Sequence, residues 1–182
     1  TCACGNRDDP DPDDPVADTC AFHDEGVWVA DGCALSPEMT TKGMALTCTV
    51  TPGDETDEGE PVTSSVVQVM NDPPSTPTAV LSPVEGNVGT LFTCDLVEGS
   101  TDLDNDTINY QRTWYVNGYA NPGTGSTSVV AGDLVKDAQG THAGGGDTVF
   151  CRIVADDTEG GISNPADSQV VTLMNSPPEG GA

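Results

Sequence analysis

Short stretches in which apolar and polar residues alternate run through this chain of 182 residues. Two of them, residues 91–96 and residues 149–153, carry a cysteine near the middle. Their apolar positions are Phe92, Cys94 and Leu96 in the first stretch and Val149, Cys151 and Ile153 in the second. A period of two is typical of a β-strand with one buried face. A disulfide can join two such strands, and Trp114, which lies between them in sequence, can pack over the bridge. The pattern therefore predicts an all-β fold with stacked sheets.

A second set of strands is predicted around the other tryptophan, Trp28. Residues 27–32 match residues 113–118 in the position of the tryptophan and of a glycine four residues later. A strand followed by an Asp-Gly or Asn-Gly turn explains both features. The match predicts that Trp28, like Trp114, is a core residue.

Each copy of the pattern closes on a similar segment. Residues 64–74 align with residues 168–178, and both segments reach a Pro-Pro pair that ends the sheet. We therefore predict two tandem repeats. The predicted organisation is a shortened repeat with an acidic N-terminal loop (1–72), a proline-rich linker (73–76), a second repeat (77–175) and a tail (176–182).

The two copies differ in length. Only 20 residues separate Trp28 from Cys48, against 37 between Trp114 and Cys151. The first repeat is therefore expected to lack its first edge strand and part of the next. An open sheet edge can accept a strand from another chain. If copies join head to tail in this way, they build an open filament unless the rotation closes a ring.

The spacing of Cys94, Trp114 and Cys151 resembles the Cys-Trp-Cys pattern of immunoglobulin-like domains. Residues 100–118 are similar to the tandem Ig-like and PKD-like repeats of bacterial cell-surface proteins. The resemblance covers about residues 76 to 175, and a partial second copy covers much of the rest. It implies two tandem immunoglobulin-like β-sandwiches, linked by disulfides, with the first one shortened. Sandwiches of this kind host many unrelated roles, so the resemblance predicts fold more than function.

The charge of the chain restricts its partners. Five basic residues against 30 acidic ones give a net charge of −25, which would repel nucleic acid and anionic membranes. Divalent cations are the expected counter-ions. The chain contains no long apolar run, and we interpret it as a mature or excised segment without membrane insertion.

Seven cysteines indicate an oxidising compartment, so the protein is expected to be secreted or on the cell surface. Cys94 is predicted to pair with Cys151. By analogy with that pair, the remaining predicted pairings are Cys48 with Cys2 or Cys4, and Cys20 with Cys33. One of Cys2 and Cys4 is then left over, as a free thiol or an intermolecular bridge.

The loop ahead of Trp114 carries three alternate aspartates, Asp102, Asp104 and Asp106. This spacing lets carboxylates converge on one hard cation, and calcium prefers such oxygen ligands. The loop has only the opening of an EF-hand-like pattern, because Thr113 stands where a bidentate glutamate is expected. A solvated turn remains the alternative. Ligands from a nearby loop, Asp156, Asp157 and Glu159, could complete the site. No other cofactor is expected.

Asn105 begins an N-glycosylation sequon, Asn-Asp-Thr, within the same acidic loop. A glycan on Asn105 would crowd a cation bound there. Such three-residue matches also occur by chance.

The residues do not form a catalytic constellation. His23 and His142 lie in different repeats, and the sequence has no Gly-x-Ser-x-Gly elbow, metalloprotease motif or phosphate-binding glycine loop. We therefore expect no enzyme. The favoured function is a structural subunit of an extracellular bacterial filament whose partners are copies of itself. The alternative is an adhesin or ligand-binding repeat of a large surface protein, for which Tyr115 and Tyr119 are the exposed aromatic candidates.

Overall fold

The computed structural model describes residues 19–32, 34–53, 57–121 and 125–176. The chain forms two compact units, Thr1–Asn71 (unit 1) and Asp72–Ala182 (unit 2). Both are built from antiparallel β-strands, as the alternating pattern predicted. Cys2, Cys4 and Cys33 lie outside the described residues.

Unit 2 is an immunoglobulin-like sandwich of two sheets. Its strands are β6 (Thr78–Ser82), β7 (Leu91–Glu98), β8 (Asn109–Val116), β9 (Tyr119–Asn121), β10 (Ser128–Val130), β11 (Thr148–Asp156), β12 (Ala166–Asp167) and β13 (Val171–Thr172), with a 3-10 turn at Ala131–Asp133. One sheet has the order β10-β7-β6. The other has the order β12-β11-β8-β9, and β13 also pairs with β11.

The predicted disulfide joins the two sheets of unit 2. Cys94 on β7 is bonded to Cys151 on β11, with 6.0 Å between their Cα atoms. Trp114 on β8 lies directly opposite Cys151 in the same sheet and is fully buried. Its indole N–H donates to the carbonyl of Ser126 at 3.0 Å. Because the ring buries a large apolar area and its polar atom is satisfied, this position can carry a tryptophan without an unpaired donor.

Unit 1 contains a single sheet within its described residues. Its strands are β1 (Thr19–Asp24), β2 (Val27–Asp31), β3 (Ala45–Thr51), β4 (Val62–Thr63) and β5 (Val67–Gln68), with a 3-10 turn at Pro37–Met39. The order is β2-β1-β3-β4, and β5 also pairs with β3. Cys20 is in a disulfide, and Cys48 is buried.

The sheet of unit 1 corresponds strand by strand to the larger sheet of unit 2. The strands β1, β2, β3, β4 and β5 take the places of β8, β9, β11, β12 and β13. Cys48 lies opposite Phe22, as Cys151 lies opposite Trp114. The residue of unit 1 that occupies the Trp114 position is therefore Phe22, which is buried.

The prediction that Trp28 is a core residue is wrong. The turn that matches Asn117-Gly118 is Glu25-Gly26, and the first residue of each has positive φ, 49° and 46°. Trp28 thus follows the turn instead of preceding it. A register shift then places Trp28 opposite His23, whereas Ala30 lies opposite Phe22. Because Phe22 and His23 are neighbours on β1, they face opposite sides of the sheet. Trp28 therefore lies on the outer face with His23, and it is 60% exposed.

The last strand of each unit is interrupted in the same way. In unit 1, the backbone N–H of Cys48 donates to the hydroxyl of Ser64, and that hydroxyl donates to the next carbonyl, of Ser65. In unit 2, Cys151 and Ser168 make the same two bonds. The repetition read from residues 64–74 and 168–178 is thus also a repetition of hydrogen bonds.

A glutamine side chain blocks the free edge of β6, the edge strand of the smaller sheet of unit 2. The side-chain amide of Gln169 accepts from the backbone N–H of Leu81 and donates to its carbonyl. The amide therefore satisfies both backbone groups that a neighbouring strand would otherwise bind. In unit 1, the residue that follows the matching serine is Ser65, and the described residues of unit 1 include no strand in the place of β6.

Candidate functional sites

The acidic loop between β7 and β8 brings the three predicted aspartates together. Asp102, Asp104 and Asp106 each offer a carboxylate oxygen within 4.8 Å of the others. One oxygen of Asp102 accepts the backbone N–H groups of Asp104 at 2.8 Å and Asp106 at 3.3 Å. Its other oxygen is buried and has no hydrogen-bond partner. Three carboxylates in this arrangement could supply the oxygen ligands that calcium uses.

The acidic loop is tied to the start of unit 2. A carboxylate oxygen of Asp104 accepts the backbone N–H of Asp72 at 2.8 Å. Next to it, the backbone N–H of Ser75 donates to the carbonyl of Thr101 at 2.8 Å. The loop conformation is thereby fixed by backbone groups, so the carboxylates do not depend on one another alone for their positions.

The neighbouring loop after β11 uses its acids differently. Asp157 is fully buried, and one of its oxygens accepts the backbone N–H groups of Glu159 and Gly161 at 2.8 Å each. Asp156 accepts the side-chain amide of Gln111. Asp157 therefore holds its own turn. Among the described residues, the carboxylate cluster consists of the three aspartates of the acidic loop. Asp156, Asp157 and Glu159 are not part of it.

The sequon residue Asn105 lies in the middle of the acidic loop. It is exposed and has a positive φ of 61°. Its neighbours Asp104 and Asp106 belong to the carboxylate cluster. A glycan attached here would therefore lie beside the carboxylates, as the sequence indicates.

A stripe of apolar residues on unit 1 is uncovered where its counterpart in unit 2 is covered. We call it the unit 1 stripe; its residues are Leu46, Val50, Val62, Val67 and Val69, on β3, β4, β5 and the residue after β5. Val62 and Val67 are 69% and 62% exposed. The matching residues in unit 2 are Ala166 and Val171, which are 9% and 3% exposed. In unit 2 this side of the sheet is packed by β6, which contacts both β11 and β12.

The outer face of the larger sheet of unit 2 carries an aromatic row that is already engaged. The rings of Tyr115 and Phe150 stack with centroids 4.6 Å apart, and the guanidinium of Arg152 lies 5.1 Å from the centre of the Tyr115 ring. Arg152 also forms an ion pair with Asp167, which holds the pKa of Asp167 below its ordinary value. With these contacts, Tyr115 is a poor platform for a sugar.

A further polar cluster in unit 2 was not singled out from sequence. Asp147 accepts from the Lys136 ammonium at 2.9 Å and from the Asn117 side-chain amide at 2.8 Å. These bonds, with one from the backbone of Gly144, hold the pKa of Asp147 below its ordinary value. The three residues are far apart in sequence and lie on no shared motif, so only the fold brings them together.

Comparison with known proteins gives little beyond the topology described above. No protein-family model and no curated protein matches the chain. A solved structure titled "Structures of Clostridium thermocellum CbhA fibronectin(III)-like modules" aligns with 91% of this chain and 82% of its own, at 16% identity and a TM-score of 0.31. In the part of the chain that the structure describes, no helix is both long and apolar enough to cross a membrane.

Proposed function

We propose that this protein is a non-catalytic structural subunit of an extracellular bacterial filament. Copies join head to tail through their immunoglobulin-like units, and the sheet of unit 1 is covered by another copy. The disulfide between Cys94 and Cys151 is compatible with an oxidising, extracellular setting.

The unit 1 stripe is the observation that carries this proposal. Val62 and Val67 are exposed in unit 1, whereas a second sheet buries the matching positions, Ala166 and Val171, in unit 2. Burying an exposed valine side chain contributes about 1.5–3 kcal/mol, so Val62 and Val67 favour any contact that covers them. A surface of this kind in a charged protein is typical of an interaction site.

Calcium in the acidic loop is the second part of the proposal. Copies with a net charge of −25 repel one another, so a bound cation would reduce the cost of bringing them together. Asp102, Asp104 and Asp106 are the proposed ligands, and the unpaired oxygen of Asp102 favours a cation near that residue.

Paired substitutions test the assembly. The double variant Val62→Asp and Val67→Asp places two charges on the unit 1 stripe without disturbing a buried contact. Wild-type protein with calcium should form oligomers or fibres in light scattering and negative-stain images, and the double variant should remain monomeric.

The matched control is Val84→Asp with Val97→Asp, which changes two valines of unit 2 that are also exposed. This control should assemble like wild type. A wild-type protein that stays monomeric at high concentration with calcium would rule out the filament. Equal assembly of both double variants would rule out the unit 1 stripe as the contact.

One observation favours the alternative, a ligand-binding repeat of a surface protein. Trp28 is exposed on the outer face of unit 1, and its indole N–H donates to Asp31 at 2.9 Å. An exposed indole held in place in this way could stack on a sugar ring. If so, Trp28→Ala should abolish binding on a glycan array, while Val27→Ala, on the same strand, should retain it.

A further inference from the structure

One carboxylate of unit 1 lies in an otherwise apolar row of its sheet. Asp24 on β1 lies opposite Leu46 on β3, and Leu46 lies opposite Val67 on β5. Residues directly opposite on neighbouring strands share one face of a sheet, so Asp24 lies on the same face as the unit 1 stripe. The residue is half-buried, and its Oδ1 accepts the backbone N–H of Ala45 at 2.7 Å.

The matching row of unit 2 is made of valines. Val116 on β8 lies opposite Val149 on β11, and Val149 lies opposite Val171 on β13. All three are buried. In the strand-by-strand correspondence of the two sheets, Asp24 takes the place of Val116. Unit 1 thus carries an acidic residue at a position where unit 2 carries a core valine.

Further carboxylates border the unit 1 stripe at both of its ends. Glu25, in the turn after Asp24, is exposed. At the other end, the loop that leads into β4 carries Asp57, Glu58 and Glu60, which are exposed as well. Glu60 precedes Val62 by only two residues. A second copy that covers the stripe therefore meets negative charge at each end of the contact.

The lysines and arginines of the described residues are already engaged within their own units. Their acceptors are Asn71 for Lys42, the carbonyl of Cys94 for Arg112, Asp147 for Lys136 and Asp167 for Arg152. A second copy would have to give up one of these bonds to offer such a cation to the stripe. Covering Asp24 also removes water from its charge, which is unfavourable without a neutralising partner.

We infer that Asp24 makes the contact between copies through the unit 1 stripe depend on salt; this inference rests on the filament proposed above. In dilute salt the carboxylates of two copies repel each other, because the screening length is about 30 Å at 0.01 M ionic strength. At 1 M the length is about 3 Å, so the repulsion no longer opposes contact between the valines. Asp24 has the largest effect of these acids, because it lies on the face that becomes covered.

Light scattering of the full chain over a series from about 0.01 to about 1 M NaCl, with calcium held constant, tests the dependence on salt. Wild type should be monomeric in dilute salt and assemble as NaCl rises. Asp24→Asn keeps the acceptor for the Ala45 N–H but removes the charge, so it should assemble at a roughly twofold lower NaCl concentration. The matched control is Asp31→Asn. Asp31 lies opposite Ala21, on the other face of the same sheet, and this variant should assemble like wild type.

A second variant covers the case in which Asp24→Asn does not fold. Glu58→Gln with Glu60→Gln changes two exposed residues and should also lower the NaCl concentration that assembly requires. If wild type assembles equally well in dilute and concentrated NaCl, or if Asp31→Asn shifts the requirement as far as Asp24→Asn, the role of Asp24 is overturned and the filament is not. If neither wild type nor Asp24→Asn assembles at any NaCl concentration, the salt dependence and the filament are both overturned.

Discussion

At the scale of single residues, the two tryptophans of this chain have opposite environments. Trp114 is fully buried beside the disulfide, and Trp28 is 60% exposed. The difference lies in which dipeptide makes the turn. The sequence offers Asp31-Gly32 as a turn after Trp28, but Glu25-Gly26, ahead of it, takes the place of Asn117-Gly118. A weaker turn signal thus prevailed, because it leaves Phe22 opposite Cys48.

The tryptophans should respond differently to truncation. Trp114→Ala removes a buried ring and is expected to lower the free energy of unfolding of unit 2 by about 3–5 kcal/mol. Trp28→Ala removes an exposed side chain and is expected to change stability by about 0.5 kcal/mol or less. Urea unfolding followed by circular dichroism measures both, and similar losses would contradict the assignment.

The ion pair between Arg152 and Asp167 should contribute stability above acidic pH only. Asp167 has a pKa below its ordinary value of 3.8, chiefly through the hydrogen bond with Arg152. A carboxyl with a lowered folded-state pKa stabilises above its unfolded pKa and loses that contribution as pH falls through the folded value.

We therefore expect Asp167→Asn to be less stable than wild type at pH 7, by about 0.5–1 kcal/mol because the pair is partly exposed. At pH 2 the difference should shrink. Urea unfolding at the two pH values measures it. A difference that does not depend on pH would show that packing, not charge, is responsible.

At the scale of elements, the strands with strict alternation were predictable and the interrupted ones were not. The period of two in residues 91–96 and 149–153 predicted β7 and β11 together with their disulfide. The interruption between β12 and β13 depends on the Ser168 hydroxyl, which binds the backbone N–H of Cys151. Serine is common in exposed loops, so its sequence position alone does not reveal this bond.

Removing the Ser168 hydroxyl should show how much that bond contributes to stability. Ser168→Ala leaves the buried N–H of Cys151 without the hydroxyl, which is expected to lower the free energy of unfolding by about 1–3 kcal/mol. The exposed residue Ser65, which follows the serine of unit 1 that matches Ser168, serves as the control, because Ser65→Ala should change little. Thermal unfolding of both variants measures the difference. An unchanged melting temperature for Ser168→Ala would contradict the role of the hydroxyl.

At the scale of the whole molecule, charge is the dominant property. The net charge of −25 follows from the composition, and the spacing of the three aspartates predicted the candidate cation loop. The structure brings their carboxylate oxygens within 4.8 Å of one another. The supporting contact from Asp72 to Asp104 joins residues 32 positions apart. Contacts of that kind follow from the folded chain path, so local spacing could not predict them.

Calcium should raise the stability of unit 2 if the loop binds it. Because a ligand that binds only the folded state stabilises it, the melting temperature should rise on adding calcium and fall again on chelation. Asp104→Asn should weaken the response. Asp133→Asn, which removes a carboxylate outside the loop, should not. A wild-type melting temperature that does not change with calcium would rule out a calcium site in the loop.

The amide of Gln169 blocks one sheet edge of unit 2 and so makes the two units unequal as binding surfaces. Since it occupies both backbone groups of Leu81 at the margin of unit 2, an incoming strand would have to displace it there before pairing. If copies associate as proposed, the edge of unit 2 at β6 is closed to an added strand while Val62 and Val67 of unit 1 remain open to contact, so every copy in a chain would point the same way.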